Sequence, residues 1–294
     1  MKPAPFEYFA PETVPEALAL LEEHGEDAKI LAGGQSLVPM MNFRLVRPKV
    51  LIDINQVAGL SYIRESNGHL RIGAMTRHRD VERSPVVERL NGLLAEGIRH
   101  VGHSAIRARG TVGGSIVHAD PTAELPLILA VLDGEVLVVG PRGRRAIKWD
   151  DFLLSYFTTS IEPGEICEEV VMPVLSSTSA WGFEEFTHRE GDFAIAAVAA
   201  VVDLDAARQC ASARLAVAGA GATPVRARAA EQFLVGQPLT HAVLVEAARL
   251  VSRDVEPESD LHASDVFRRH LAGTMAMRAL QGAAKRLEQH ERRG

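Results

Sequence analysis

The sequence predicts an α+β chain built from more than one unit, and three observations carry that reading. Strand and helix patterns alternate from Thr13 to Ile54. A mixed stretch follows, in which the two kinds of element are interspersed without regular alternation. The last third reads as strands followed by helices, so the element types are segregated there.

Taken in order, Thr13 with Glu16 three residues on forms a capping box, and Val14, Ala17, Leu18 and Leu21 line one helical face. Gly25 stands where a helix-terminating glycine belongs. Ala28-Lys29-Ile30-Leu31-Ala32 is a short apolar strand. Gly33-Gly34 breaks it, and a short helix is expected from about Ser36. Val50-Leu51-Ile52-Asp53-Ile54 is a second strand. Beyond Leu60, Leu70 to Ala74 alternates as a strand does, and helical stretches run to about Arg99. Glu135 to Val139 is a strong strand closed by the turn Gly140-Pro141-Arg142-Gly143. Pro173 and Ser176-Ser177-Thr178-Ser179 mark a boundary, and the units expected are 1–57, 58–175 and 176–294. Ala194 to Leu204 and Arg214 to Ala218 read as strands. Pro224 is expected to open a helix ending before Gly236, Thr240 to cap another, and Ser264 to precede a long one. That last helix is amphipathic through Phe267, Leu271, Met277, Leu280, Ala284 and Leu287, a core or interface pattern.

Bulk properties exclude several classes. A chain of 294 residues buries about 75% of its unfolded surface, enough to hold a core without disulfides or metal. A net charge of −6, with both signs interspersed, lacks the basic stripe of a nucleic-acid-binding surface. Only Cys167 and Cys210 are present, whereas an all-cysteine iron–sulfur or zinc centre takes four, so such a centre would belong to another chain. The start, Met1-Lys2-Pro3-Ala4-Pro5, lacks a signal peptide's apolar core. The longest apolar run, Phe193 to Val202, is too short to span a bilayer and reads as a buried strand. The expectation is a cytoplasmic protein without a membrane span.

Two segments carry candidate chemistry. In Leu31-Ala32-Gly33-Gly34-Gln35-Ser36-Leu37, a strand stops at two glycines and restarts as a helix. Such a corner leaves backbone N–H groups free in one concavity and attracts phosphate without a lysine. In Thr111-Val112-Gly113-Gly114-Ser115 the glycines lie between hydroxyl residues. Asp120 follows, acceptor-only when ionised, and suits a ribose or adenine hydrogen bond better than a phosphate. Its competing role is to cap the turn before Pro121. Each segment alone is matched by an ordinary strand–turn–helix corner. Together they fit a ligand with two phosphates held where two small units meet. Neither is a P-loop or a Rossmann fingerprint, which disfavours nucleoside-triphosphate hydrolysis and nicotinamide-dependent dehydrogenation.

With Asp120-Pro121-Thr122-Ala123-Glu124-Leu125-Pro126, Arg189-Glu190-Gly191-Asp192-Phe193-Ala194, Pro224-Val225-Arg226-Ala227 and Phe267-Arg268-Arg269-His270-Leu271, these segments follow one order along nearly the whole chain. As a set they resemble the FAD-binding medium subunit of the molybdenum hydroxylases, the family of aerobic carbon monoxide dehydrogenase and xanthine dehydrogenase. The resemblance implies a two-part FAD-binding domain of the vanillyl-alcohol-oxidase type, followed by a C-terminal α+β domain. It implies non-covalent FAD, with Leu31 to Leu37 and Thr111, Gly113, Gly114 and Ser115 cradling the pyrophosphate. Asp120 would lie toward the adenosine end, and Ile166 would be an apolar contact. It also implies two partners: a large molybdopterin subunit where substrate is oxidised, and a small iron–sulfur subunit that passes electrons to the FAD and on to an external acceptor. No catalytic acid, base or metal ligand is expected in this chain.

The sequence departs from the family pattern twice. Ser115 stands where an asparagine is common. Glu184-Glu185 stands where many relatives carry a lysine, which leaves Arg189 as a substitute cation. His100, His103 and His118 are read as helix-end histidines rather than metal ligands. Arg107 and Arg109 could assist phosphate or serve packing. A self-contained FAD-dependent reductase on the same fold, and a flavin-free scaffold, are the alternative functions.

Overall fold

The computed structural model describes residues 2–176 and 178–291, with side chains to residue 288. Ser177, within the expected boundary segment, lies outside the described residues.

The first unit is a parallel three-stranded sheet in the order Glu7–Phe9, Val50–Asp53, Ala28–Leu31. Helix Val14–His24 packs on it, and both halves of the Thr13/Glu16 capping box form. The edge strand Glu7–Phe9 has no alternating apolar pattern and was not expected; its backbone pairing with Val50–Asp53 makes it a strand.

The second unit is an antiparallel five-stranded sheet in the order Ile63–Ser66, His69–Gly73, Ile166–Pro173, Glu135–Gly140, Gly143–Lys148. Short helices cover it. One of them, Glu124–Val131, is buried along all eight residues. Beyond Glu124 it is apolar all round because it lies between two sheets, a location that periodicity does not reveal.

The third unit is an antiparallel four-stranded sheet in the order Ser179–Phe186, Ala196–Leu204, Cys210–Ala218, Val225–Arg226. In Ala196–Leu204, Ala197, Ala199 and Val201 face the core shared with helix Glu124–Val131. Val198, Ala200 and Val202 face the core under the C-terminal helices. Both faces are covered, so this strand reads as a continuous apolar run. Helices Arg228–Leu234, His241–Asp254 and Asp265–Glu291 close the outer face.

Thr240 caps its helix by accepting from the Val243 amide, as expected. Pro224 does not open a helix. Val225 and Arg226 pair with Val217 and Ala216 as an edge strand, and the helix starts at Arg228. In the last helix Ala283 is buried and Ala284, expected on the packed face, is only half-buried. The α+β class is the one expected. Among the described residues no helix is long and apolar enough to cross a membrane.

Candidate functional site

The first glycine corner lies between strand Ala28–Leu31 and helix Leu37–Asn42. Gly34 sits at φ +72°, where a side chain would be strained. The amides of Gly33, Gly34, Gln35, Ser36 and Leu37 have no acceptor among the described residues. Ser36 precedes the helix, yet its hydroxyl caps nothing. Gln35 folds its side-chain amide onto the Gly33 carbonyl at 3.0 Å. Backbone N–H groups are nearly always paired in folded proteins, so successive free donors in one turn form a concavity that favours an anion. Gly33, Gly34 and Gln35 line a cleft of about 310 Å³ whose walls include Val38, Pro39, Asp53, Asn55 and Arg109.

The second corner is built differently from the expectation. Thr111 caps helix Val112–His118, and the four amides from Val112 to Ser115 are engaged. Val112 donates to Thr76 (3.0 Å), Gly113 to Ala74 (2.8 Å) and Ser115 to Thr111 (3.1 Å) through backbone carbonyls, and Gly114 donates to the Thr111 hydroxyl at 3.2 Å. The segment Ala74 to Arg77 runs beside it and takes up the Val112 and Gly113 donors, and Thr111 takes up the other two, so this corner holds no set of free amides. The Ser115 hydroxyl lies 3.1 Å from Nε2 of buried His78, which also donates to the Thr111 carbonyl at 2.9 Å. Burial pushes the His78 imidazole down to about 4, so it is neutral in the fold.

The two corners touch. A Cβ on Gly33 would fall 2.5 Å from the Arg109 carbonyl oxygen and 2.8 Å from the Gly110 Cα. A Cβ on Gly114 would lie 3.7 Å from that of Ala32. The glycines thus permit backbone of one unit to lie against backbone of the other. Around the contact, Asn55 donates to the Ala32 carbonyl at 2.8 Å, and Arg77 donates to both the Asn55 side-chain oxygen and the Arg109 carbonyl. Tyr8 donates to Asp53 at 2.7 Å. Burial, and then the charge of Arg109, lower the pKa of Arg77 below the usual guanidinium range.

The other expected residues are more scattered. Leu31 and Ala32 line the cleft, and Leu37 begins the adjoining helix. Asp120 is buried and caps its own turn, its Oδ1 accepting from the Thr122 amide (2.9 Å) and hydroxyl (2.7 Å). Ile166 is 4% exposed and packs with Val139, Ile52 and Met75 in the core between the first two units. Of the two arginines, Arg107 serves packing: it pairs with Glu82 at 2.9 Å and donates to the Gly102 carbonyl at 2.9 Å. Arg109 lines the cleft.

His100 is not an exposed helix-end residue. It is partly buried, with Nδ1 3.0 Å from Glu185 Oε2, and the Glu185 and Glu96 carboxylates hold its pKa up to about 9. Glu185, at the family's lysine position, is therefore an ion-pair partner buried between units, and Arg189 is exposed. Sequence reasoning passed over Asp53, Asn55 and Arg77. The only local signal was the Asp53-Ile54-Asn55 end of a strand, because Arg77 reaches the site from a different unit.

Comparison with known proteins bears on the same chain. Residues 4–175 match the family model described as the FAD binding domain in molybdopterin dehydrogenase. Residues 181–283 match the CO dehydrogenase flavoprotein C-terminal domain. The chain is 42% identical over 286 residues to 6-hydroxypseudooxynicotine dehydrogenase complex subunit alpha of Paenarthrobacter nicotinovorans, covering 97% of each. It is 36% identical over 283 residues to the carbon monoxide dehydrogenase medium chain of Hydrogenophaga pseudoflava, covering 96% of this chain and 98% of that one. In the solved structure of carbon monoxide dehydrogenase from that organism, one chain superposes with a TM-score of 0.94 at 37% identity, over 97% of this chain and 99% of the other.

Proposed function

Since this chain belongs to the family of FAD-binding subunits of molybdenum-dependent dehydrogenases, we propose that it passes electrons from iron–sulfur clusters in a small partner subunit to an external acceptor. It is a flavoprotein component of an oxidoreductase, and its cofactor is FAD. The relatives' names, "medium chain" and "complex subunit alpha", support assembly with a large molybdopterin subunit and a small iron–sulfur subunit. Two free, buried cysteines are consistent with a reducing, cytoplasmic setting.

The observation that carries the site assignment is the row of unpaired amides from Gly33 to Leu37, of which Gly33, Gly34 and Gln35 line the cleft beside Arg109. A diphosphate is held by several donors and further stabilised by a nearby cation, and this corner supplies both. The proposed cradle is Leu31, Ala32, Gly33, Gly34, Gln35, Ser36 and Leu37, walled by Thr111, Gly113, Gly114 and Ser115. Asp120, through its remaining carboxylate oxygen, and Ile166, at the interface of the first two units, complete the set. The unit boundaries proposed are 57/58 and 175/176.

Bound FAD supplies the redox chemistry, and the chain's own residues bind, orient and shield it. The neutral imidazole of His78 fixes the Thr111 carbonyl and the Ser115 hydroxyl without adding charge beneath the cradle. Purification of the full chain tests the proposal. It should carry one acid-releasable FAD per chain and co-purify, when expressed with its neighbours, with a molybdopterin chain and a cysteine-rich chain. A colourless protein that takes up no added FAD would sink the reading. A yellow protein that alone reduces a substrate with NADPH would favour a self-contained reductase.

A further inference from the structure

The two glycine corners lie in different units, and one hydrogen-bonded path links their backbones. Asn55 Nδ2 donates to the Ala32 carbonyl (2.8 Å) and to Asp53 Oδ1, and the Asn55 side-chain oxygen accepts from Arg77 Nη2. Arg77 Nη1 then donates to the Arg109 carbonyl. The orientation of the Asn55 amide follows from its partners. Flipped, its oxygen would face two oxygen acceptors and its nitrogen would face a guanidinium. Backbone pairing between Arg77 and Thr111 holds the arginine to the second corner, and the Asp53 carboxylate accepts the Asn55 backbone amide at 2.9 Å to hold Asn55 under the first.

We propose that Arg77 and Asn55 act together as a clamp that sets the separation of the two corners, and so holds the Gly33 to Leu37 amides where the diphosphate of FAD meets them. This rests on the FAD reading above and adds two positioning residues to it. A lysine cannot replace the arginine, because the clamp uses two nitrogens of one rigid fork on two acceptors, and an ammonium on a flexible stem does not hold both in one geometry. The clamp lies beside Arg109, so the site gathers two guanidinium groups at the edge of a cleft lined with free donors, an arrangement relieved by a bound anion.

The test is a double-mutant cycle on the full chain. FAD affinity is measured by flavin fluorescence after removal of bound cofactor, and the melting temperature of each FAD-free variant is recorded beside it. Arg77→Met and Asn55→Ala should each weaken FAD binding on the order of tenfold, and the double variant little more than the weaker single, because either change breaks the same path. Arg77→Lys should lose nearly as much affinity as Arg77→Met while keeping the dependence of binding on salt that Arg77→Met reduces. If Arg77→Met does not fold, Arg77→Lys takes its place in the cycle. Affinities within twofold of the parent chain, or losses that multiply in the double variant, overturn the clamp. A merely structural role would lower the FAD-free melting temperatures and leave the losses multiplicative. A parent chain that binds no FAD overturns the cofactor reading instead, so the two failures are distinguishable.

Discussion

Gly113 and Gly33 show what single residues can and cannot reveal. Both glycine pairs stood out in the sequence, but the reason for them did not. A Cβ on Gly113 would fall 2.5 Å from the Cβ of Ala74 and 2.9 Å from its carbonyl oxygen, while the Gly113 amide is spent on that same carbonyl. The residue is small to let protein approach, and only Gly34, with its positive φ, is a glycine for its backbone conformation at this site. Gly113→Val is therefore a packing variant. Overfilling this contact should cost about 1–3 kcal/mol, seen as a lower melting temperature of the FAD-free chain. An unchanged midpoint would remove the packing account. No local pattern distinguishes a glycine facing a ligand from one facing Ala74, because the neighbour comes from a distant part of the chain.

Elements were most legible where the signal is short-range. The Thr13/Glu16 box and the Thr240 cap were read correctly because a cap concerns four consecutive residues. The helix expected at Pro224 failed because the pairing of Val225 and Arg226 with Cys210–Ala218 prevails over local preference. The helix Asp265–Glu291 illustrates what packing adds. Its small residues Ala272, Ala276, Ala279 and Ala283 are fully buried, and a Cβ on Gly182 would fall 1.9 Å from the Ala279 carbonyl oxygen. Helix and strand are in backbone contact there. Gly182→Ala should force them apart and destabilise the C-terminal unit by at least about 1–3 kcal/mol. Thermal unfolding measures this directly, and a variant as stable as the parent would show that the helix can shift freely.

Across the whole molecule, buried polar groups tie the units together. Arg226, on the edge strand of the third unit, donates to the Ala130 carbonyl at 3.0 Å and pairs with Glu231 at 2.7 Å, joining the helix between the sheets to the C-terminal domain. A second junction has a pH dependence. His100 pairs with Glu185 across units, with Glu96 and Arg99 on its own side and Phe183 against its ring. Glu124 is buried nearby, and burial, then the charge of Glu185, raise its pKa from 4.5 to about 8. The folded chain thus keeps a proton on Glu124 up to about 8. It keeps one on His100 up to about 9, against 6.5 unfolded. Since the folded state binds more protons, stability falls as pH rises through these windows, most steeply where they overlap. Melting temperature should decline between pH 6.5 and about 9, and Glu124→Gln should flatten the part of that decline due to its carboxyl group. A decline unaffected by this change would place the dependence elsewhere. The buried Glu185 could not be read from sequence, where an acid in place of a familial lysine indicated a missing charge rather than a partner for His100.

The sequence alone determined the α+β class, the order of the main strands and helices, the family and its cofactor, and the position of the first glycine corner. The class and the elements follow from periodicity and caps, which act between near neighbours along the chain, and the family and its cofactor from the resemblance that the ordered motifs carry. The tertiary structure decided which corner keeps its amides free and that Asn55 and Arg77 bridge the two corners. It also decided that Arg107 packs while Arg109 faces the cleft. Such assignments depend on which acceptor a donor meets, and here the acceptors Ala74, Thr76 and Arg109 come from segments brought alongside only when the sheets form.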